Sequence, residues 1–235
     1  MNTKIFLLTF MISLVFLSSA HAMIMIDGLS DSPGWDLYPE LNQTLPNQTL
    51  TRLDTGLADT IGGSRFTSAT QVNGDDPMNF QLGVGGGYLG FSLGAGDGYG
   101  TTSLLYDRNG QGLGADLSSA TNIDVHFWAD HFGCLKPSIM SLTLTDDLSH
   151  TFTETKVWPT YMLVQAWRHE YFPLSSFSGV DTSHIRSILF YYEAGWANDL
   201  SFDSISANTT VSEPASLSLL GLGLLGLLNI RRKHV

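Results

Sequence analysis

The chain has 235 residues, a hydrophobic fraction of 43% and a single cysteine, Cys134. One cysteine cannot form a disulfide within the chain, so a disulfide-stapled fold is excluded and stability must come from a hydrophobic core. The formal net charge is −11 at pH 7. So acidic a surface repels phosphate backbones, and we therefore expect no nucleic-acid partner.

The first 22 residues have the pattern of a secretory signal peptide. Lys4 supplies the positive start, residues 5–17 form an apolar stretch, and Ala20 and Ala22 form a small-x-small cleavage site. We therefore expect signal peptidase to remove residues 1–22 and the remaining chain to be exported.

Residues 23–212 have the length of one domain. They hold 7 of the 11 basic and 21 of the 22 acidic residues, which gives this body a formal charge of −14. Their apolar residues recur mostly at every second position, which is typical of strands. The clearest segments are residues 122–128, 141–145 and 188–192; further candidates are residues 78–84, 88–93, 101–106 and 160–165. No amphipathic helix of three turns is evident, so the sequence predicts an all-β fold, a single β-sandwich or jelly roll of about ten strands.

The candidate catalytic and metal-binding residues are not all predicted to lie on the same face of a strand. On a regular strand, His126 and Asp130 share a face while His131 points away, which is a poor arrangement for zinc. The neighbours His169 and Glu170 likewise face apart, although together they could supply acid and base groups. The sequence therefore predicts no catalytic residue and no metal site, and we expect a protein that is not an enzyme.

Paired carboxylates leave two alternatives open. Asp75-Asp76, Asp146-Asp147 and the pair Asp199 and Asp203 could serve a glycoside hydrolase, but aspartates in such clusters are typical of turns. Turn carboxylates also suit calcium, so a structural calcium ion remains possible without an Asp-x-Asp-Gly loop, and no other cofactor is expected.

Aromatic residues suggest carbohydrate binding, because flat rings stack on pyranose sugars. The chain contains 5 tryptophans and 8 tyrosines. Five of these residues fall in or near predicted loops and strand ends and are candidate glycan contacts: Trp158, Tyr161, Trp167, Tyr171 and Trp196. The alternative is that they fill the core of the sandwich.

The tail, residues 213–235, is predicted to enter a membrane. Residues 215–230 are largely apolar and would span about 24 Å as a helix, a little less than a typical hydrocarbon core. The cationic end that follows, Arg231, Arg232 and Lys233, should stay in the cytoplasm. A core helix and a permanent single-span anchor are the alternatives.

This tail resembles a PEP-CTERM protein-sorting signal. Glu213 and Pro214 match the Pro-Glu-Pro box of that family, with Ser212 in place of the first proline, and the Gly/Leu-rich span and the basic end follow in order. The resemblance implies that an exosortase-type membrane peptidase cuts near the box. The chain would then reside transiently in the inner membrane before it reaches the cell surface or the extracellular matrix.

The body is also similar to exported jelly-roll domains of the galactose-binding-like type. The residues that carry this resemblance are residues 24–29, 177–181, 185–191 and 200–205. In such folds, the closing Asp-x-Ile strand, here residues 203–205, pairs near the N-terminal strand. Together the two resemblances imply an exported surface or matrix protein with a jelly-roll body, and the aromatic residues make exopolysaccharide its expected ligand. The alternatives are a secreted polysaccharide-active hydrolase or lyase and a purely structural matrix component.

Overall fold

The computed structural model describes residues 21–29, 35–36, 49–73, 78–82, 89–93, 99–132, 137–159, 162–194 and 199–210. The predicted signal peptide up to Ala20, the sorting tail, Cys134 and Asp75-Asp76 lie outside the described residues. One compact unit comprises Met23–Asn208, and a second comprises the chain ends, Met1–Ala22 and Thr209–Val235.

The described part of the chain forms two β-sheets. The first sheet has the order β11-β8-β13-β6-β5-β2, and β1 also pairs with β13. Its strands are β1 (His21–Asp27), β2 (Trp35–Asp36), β5 (Met78–Leu82), β6 (Leu89–Leu93), β8 (Ala120–Phe132), β11 (Met162–Pro173) and β13 (Asp199–Thr210). The second sheet has the order β10-β9-β12-β7-β4-β3. Its strands are β3 (Thr49–Thr55), β4 (Ser64–Asn73), β7 (Tyr99–Tyr106), β9 (Ser138–Asp146), β10 (Thr151–Trp158) and β12 (Ile185–Ala194).

The all-β prediction is confirmed. Pairing is antiparallel between neighbouring strands wherever the structure describes the register, as between β11 and β8 or between β12 and β9. Helical structure within the described residues is limited to two short 3₁₀ turns, Ile61–Gly63 and Leu174–Ser176. None of the helices described is long and apolar enough to cross a membrane.

The core lies between the sheets, and period-two patterning builds it. Alternate residues of β8, β9 and β12 point inward and are fully or almost fully buried, as expected from their apolar alternation: Ile123, Val125, Phe127, Met140, Leu142, Leu144, Ile188, Phe190 and Tyr192. Phe202 of β13 joins the two layers, because its ring meets Phe190 edge-on at 5.2 Å and Tyr192 at 5.6 Å. The sequence-predicted strand faces of these segments are therefore confirmed.

The pairing of β1 with β13 confirms the strand arrangement implied by the jelly-roll resemblance. β13 also pairs with β6 through Asp199–Phe202 and neighbours β8. The closing strand therefore lies in the interior of its sheet, where it cannot be removed without breaking several ladders.

A buried charged cluster joins β1 to the second sheet. Arg65 and Asp27 are both fully buried and form an ion pair, with Nη1 of Arg65 2.6 Å from Oδ2 of Asp27. The hydroxyl of Tyr106 donates to the same carboxylate oxygen at 2.8 Å. The carboxylate of Asp54 lies 3.6 Å from Nη2 of Arg65. Arg52 is the nearer partner of Asp54, with its Nε 2.6 Å from Oδ1, so the Arg65 guanidinium compensates mainly the carboxylate of Asp27.

Arg65 and Tyr106 are both held in their protonated forms. Burial alone would lower the pKa of Arg65, but Asp27, Tyr106 and Asp54 outweigh it and raise that pKa. Burial, with Asp27 adding to it, raises the pKa of Tyr106 well above its usual value. Arg65 thus stays charged and Tyr106 stays able to donate a hydrogen bond.

Asp146 ties the β9–β10 turn to the segment before β12. Its Oδ1 accepts hydrogen bonds from the backbone N–H groups of Leu148 and His150, each at 2.9 Å. Its Oδ2 accepts from the backbone N–H of Asp181 at 3.0 Å and lies 2.9 Å from Nδ1 of His150. Burial raises the pKa of Asp146, but these hydrogen bonds outweigh it and lower that pKa to about 2.

Replacing Asp146 by asparagine is expected to lower the free energy of unfolding near neutral pH. Because the folded-state pKa is depressed, the ionised carboxylate stabilises the fold above its usual pKa, and this contribution is lost as the pH falls towards about 2. Urea unfolding from pH 6 to pH 2 should therefore show the wild-type advantage shrinking below about pH 4. The exposed neighbour Asp147 provides the control, since Asp147→Asn should change stability little. A difference that stays constant over this pH range would contradict the assignment.

Candidate functional site: the outer face of the first sheet

The candidate site lies on the outer face of the first sheet, where β11, β8 and β13 run side by side. Because successive side chains of a strand alternate between faces, residues between the buried positions of β8 point outward. The outward positions of β11 are Trp167, His169 and Tyr171, and all three are exposed. His169 pairs directly with His126 of β8, and Trp167 pairs with Trp128.

Four rings form a continuous row on this face, which we call the aromatic strip: Trp167, His126, His169 and Tyr171. His126 and His169 stack with centroids 4.4 Å apart and planes 17° apart. Trp167 follows at 4.9 Å from His126, and Tyr171 lies 5.9 Å from His169 with nearly parallel planes. Trp167 is 53% exposed and Tyr171 is 47% exposed. Since the imidazoles cover each other, Trp167 and Tyr171 supply most of the open apolar ring surface.

A carboxylate from a neighbouring strand holds each imidazole of the strip. Nδ1 of His126 lies 2.9 Å from Oδ2 of Asp203 on β13. Nδ1 of His169 lies 3.0 and 2.9 Å from the two carboxylate oxygens of Asp124 on β8. An ionised carboxylate can only accept hydrogen bonds, so Nδ1 is the protonated nitrogen of each neutral ring. Nε2 is then the unprotonated nitrogen, and within the described residues it has no hydrogen-bond partner.

The strip therefore combines apolar rings with fixed polar atoms. Exposed ring surface of Trp167 and Tyr171 suits the apolar face of a sugar, while imidazole nitrogens and carboxylate oxygens suit its hydroxyl groups. Ligand sites generally have this composition, with aromatic side chains and a small number of placed polar groups.

The sequence-predicted glycan contacts separate into three groups. Trp167 and Tyr171 are brought together on the strip. Trp158 belongs to β10 of the second sheet, is partly buried against the core and meets Phe127 edge-on at 6.2 Å. Tyr161 and Trp196 lie outside the described residues.

The described part of the chain does not bring the other candidate groupings of the sequence together as metal ligands. In the part of the chain that the structure describes, no three or more His, Cys, Asp or Glu side chains are placed to hold a metal ion. The side chains of Asp130 and His131 lie outside this part. Glu170 does not face His169 but points towards Lys156 of β10, whose Nζ lies 3.7 Å away.

A Ser-His-Asp group in the turn before β12 also differs from a catalytic triad. Nδ1 of His184 lies 2.8 Å from Oγ of Ser183 and 3.1 Å from Oδ2 of Asp181. A triad uses one ring nitrogen for the nucleophile and the other for the acid, whereas here a single nitrogen makes both contacts. Hydrogen bonds from the Ser183 hydroxyl and amide, with His184, lower the pKa of Asp181, as expected for a turn carboxylate.

The sequence does not reveal the imidazole pair. His126 and His169 are 43 positions apart, and only the antiparallel register of β8 and β11 makes them neighbours. Asp203 comes from a third strand, and a simple alternation count cannot foresee its bond to His126. The available signal was the period-two spacing of Trp167, His169 and Tyr171, which places three ring-bearing residues on one face of a strand.

The family model for the PEP-CTERM protein-sorting motif matches residues 210–233. No curated protein matches the chain by sequence.

Solved structures similar to this chain include carbohydrate-binding modules. The family 30 module of a cellulosomal cellulase of Clostridium thermocellum has a TM-score of 0.42 and 16% identity, covering 82% of this chain and 99% of that one. The family 11 module of another cellulosomal cellulase of Clostridium thermocellum has a TM-score of 0.36 and 16% identity, covering 80% and 95%. A module specific for non-crystalline cellulose has a TM-score of 0.39 and 8% identity, covering 55% and 80%. These similarities are distant, and the two-sheet architecture rests on the strand pairing described above.

The motif match agrees with the sequence features of the tail. Glu213 and Pro214, the apolar span and the basic end all fall within or at the edge of residues 210–233. The chain therefore carries a PEP-CTERM protein-sorting motif directly after the last strand of a two-sheet β-sandwich.

Proposed function

We propose that this protein is an exported, non-enzymatic carbohydrate-binding protein of the cell surface or extracellular matrix. The aromatic strip binds an extended polysaccharide on the open face of the first sheet. The exposed stacking surface of Trp167 and Tyr171 beside two carboxylate-held imidazoles is the observation that carries this proposal.

Trp167 and Tyr171 expose about half of their surface on the same face of the sheet. Large aromatic side chains are usually buried, and a run of exposed rings on one face indicates an interaction surface. The ring row is also rigid, because each imidazole has one face against another ring and its Nδ1 on a carboxylate. A preordered surface loses little conformational entropy when a ligand binds.

A glycan array probed with the full chain tests this proposal. The chain should be held in a detergent without a sugar head group, so that the detergent does not compete. We expect binding to at least one class of polysaccharide and no release of reducing ends from it. Release of reducing ends would favour the hydrolase or lyase alternative, and no binding to any glycan would favour a purely structural matrix component.

The sorting motif in the tail supports an extracellular location for this activity. In our proposal, signal peptidase removes residues 1–22, the apolar span of residues 215–230 holds the chain in the inner membrane, and an exosortase-type peptidase then cuts near Glu213-Pro214. The β13 strand ends at Thr210, only three positions before Glu213.

Changes in the box and in the span should have different effects on localisation. Removing residues 213–235 eliminates the apolar segment, so the body should appear in the soluble exported fraction with no membrane-bound precursor. Substituting Glu213→Gln together with Pro214→Ala should instead leave an uncut precursor in the membrane. Ser212→Pro, which restores the first proline of the box, is the matched control and should be processed at least as fast as wild type. Fractionation with immunoblotting measures all three, and full-length protein in the cytosol with both termini intact would contradict the scheme.

A further inference from the structure

The aromatic strip contains two groups that can change charge near neutral pH. His126 and His169 stand opposite each other in the register of β8 and β11, with ring centroids 4.4 Å apart. Histidine is the side chain whose charge ordinarily changes between about pH 5 and 8, whereas aspartate side chains ordinarily stay ionised there. Both rings are partly open to solvent, with exposed side-chain fractions of 28% for His126 and 48% for His169. Protons can therefore reach them.

The charged groups that face this pair are carboxylates. Asp124 on β8 faces His169, and Asp203 on β13 faces His126. From β11 itself, the outward neighbours are Trp167 and the phenol of Tyr171.

Within the described residues, no basic side chain shares this face. Arg168 occupies an inward-alternating position of β11 between Trp167 and His169. The other described cations lie in the second sheet or in the turn after β7: Arg52, Arg65, Arg108, Lys156 and Arg186.

At neutral pH this arrangement presents negative charge and hydrogen-bond acceptors. With neutral imidazoles, the two carboxylates give the strip a local charge of about −2, and each Nε2 accepts a hydrogen bond. Such a surface accepts sugar hydroxyl groups and repels a sugar carboxylate. The formal charge of −14 on the body adds to that repulsion.

Protonation reverses both properties. Each imidazolium cancels the charge of the carboxylate that holds it, so the local charge approaches zero. Each Nε2 then becomes a hydrogen-bond donor that points away from its carboxylate and can donate to an anionic oxygen. Two imidazolium rings at 4.4 Å repel each other, but each also has an ion-pair partner at 2.9 Å.

We propose that protonation of the His126–His169 pair switches the ligand preference of the aromatic strip from neutral sugars towards uronic-acid sugars. This inference rests on the proposed carbohydrate-binding function and adds to it a regulation by pH. The stacking rings Trp167 and Tyr171 serve both ligand classes, because oxidation at C6 leaves the pyranose face unchanged.

A paired glycan array read at pH 8 and pH 5 tests the proposal. Each neutral hexasaccharide (β-glucan, mannan or galactan) is printed beside its C6-oxidised uronate form, and the full chain in sugar-free detergent is titrated over both. For the pair that binds, the ratio of the uronate Kd to the neutral Kd should fall by about tenfold or more from pH 8 to pH 5. Two added charges a few ångströms from the ligand at a hydrated surface produce a change of about this size. Circular dichroism at both pH values establishes that the chain stays folded.

Substitution of the pair assigns the effect to these two residues. The double variant His126→Gln with His169→Gln cannot titrate, so its Kd ratio should be the same at both pH values, whatever its overall affinity. His184→Gln, which removes an exposed histidine outside the strip, should keep the full pH dependence.

The outcomes separate the two proposals. Binding with a Kd ratio that does not change with pH, or a ratio that still changes in the double glutamine variant, would overturn the pH switch and leave carbohydrate binding intact. The absence of binding to every glycan at both pH values would overturn the carbohydrate-binding function and the switch with it.

Discussion

Replacing Arg65 by methionine is expected to lower the free energy of unfolding by about 3–5 kcal/mol, the range for removing one partner of a buried ion pair. The guanidinium compensates the carboxylate of Asp27 at 2.6 Å and lies 3.6 Å from that of Asp54. Methionine has a comparable length and is apolar, so the packing of the site is largely kept. Asp54 keeps Arg52, whose Nε lies 2.6 Å from Oδ1 of Asp54, so the loss reports mainly the buried carboxylate of Asp27 without a positive partner.

One feature of the cluster works against this loss but does not cancel it. Nε and Nη2 of Arg65 have no hydrogen-bond partner within the described residues, and the substitution removes these two unsatisfied donors. Each unsatisfied buried donor costs about 1–3 kcal/mol, so removing the two donors offsets part of the loss. We therefore expect a value near the lower end of the range, about 3 kcal/mol.

Guanidinium chloride unfolding measures this effect, and two further variants make it specific. Arg186→Met removes an exposed arginine of β12 and should change stability by less than about 0.5 kcal/mol. Adding Asp27→Asn to Arg65→Met should recover part of the loss in stability, because it removes the buried negative charge that Arg65 compensates in the wild type. A value for Arg65→Met within 1 kcal/mol of wild type would show that the cluster does not hold β1 against the second sheet.

Replacing Trp167 by alanine is expected to weaken glycan binding by about 2 kcal/mol or more, roughly 30-fold in Kd, as for an aromatic residue at the centre of an interface. Trp167 is 53% exposed, so its removal should change folding stability by much less than the loss of a buried tryptophan would. Isothermal titration with the glycan found on the array gives the affinity, and denaturant unfolding gives the stability.

Two control variants distinguish ring stacking from a general surface effect. Trp167→Phe keeps an aromatic face and should retain most of the affinity. Phe66→Ala removes an aromatic residue of similar exposure from β4 of the second sheet and should leave binding unchanged. If Phe66→Ala weakens binding as much as Trp167→Ala, the ligand site lies on the other sheet or spans both.

The inward faces of the strands are predictable from the sequence because alternation is a local property. Leu142 and Leu144 were assigned to one face from a five-residue segment, and both are fully buried. The same holds for Ile188, Phe190 and Tyr192. A side chain's face follows directly from its position in an extended strand, so neighbouring residues suffice to predict it.

The buried ion pair was not predicted, and its members show why. Asp27 and Arg65 are 38 positions apart, and neither has a neighbouring residue that marks it as buried. Their burial depends on the meeting of β1 with the β3–β4 hairpin, which the isolated bridge between Asp27 and Thr60 records. A charged residue is normally predicted to lie at the surface. Its burial is stabilised by a partner that is distant in the sequence, and the local sequence does not show that partner.

The sequence by itself determined the sorting signal, the all-β class and the inward faces of the strands. These features are encoded in contiguous residues or in a fixed period, so no contact between distant segments is needed to read them. Only the tertiary structure decided which rings meet on the outer face of the first sheet and which charges meet where β1 packs against the second sheet. The physical reason is strand register. The antiparallel pairing of β8 with β11 brings His126 beside His169, and the carboxylates that hold them come from β13 and β8. A shift of one residue in any of these strands would turn its side chains to the opposite face.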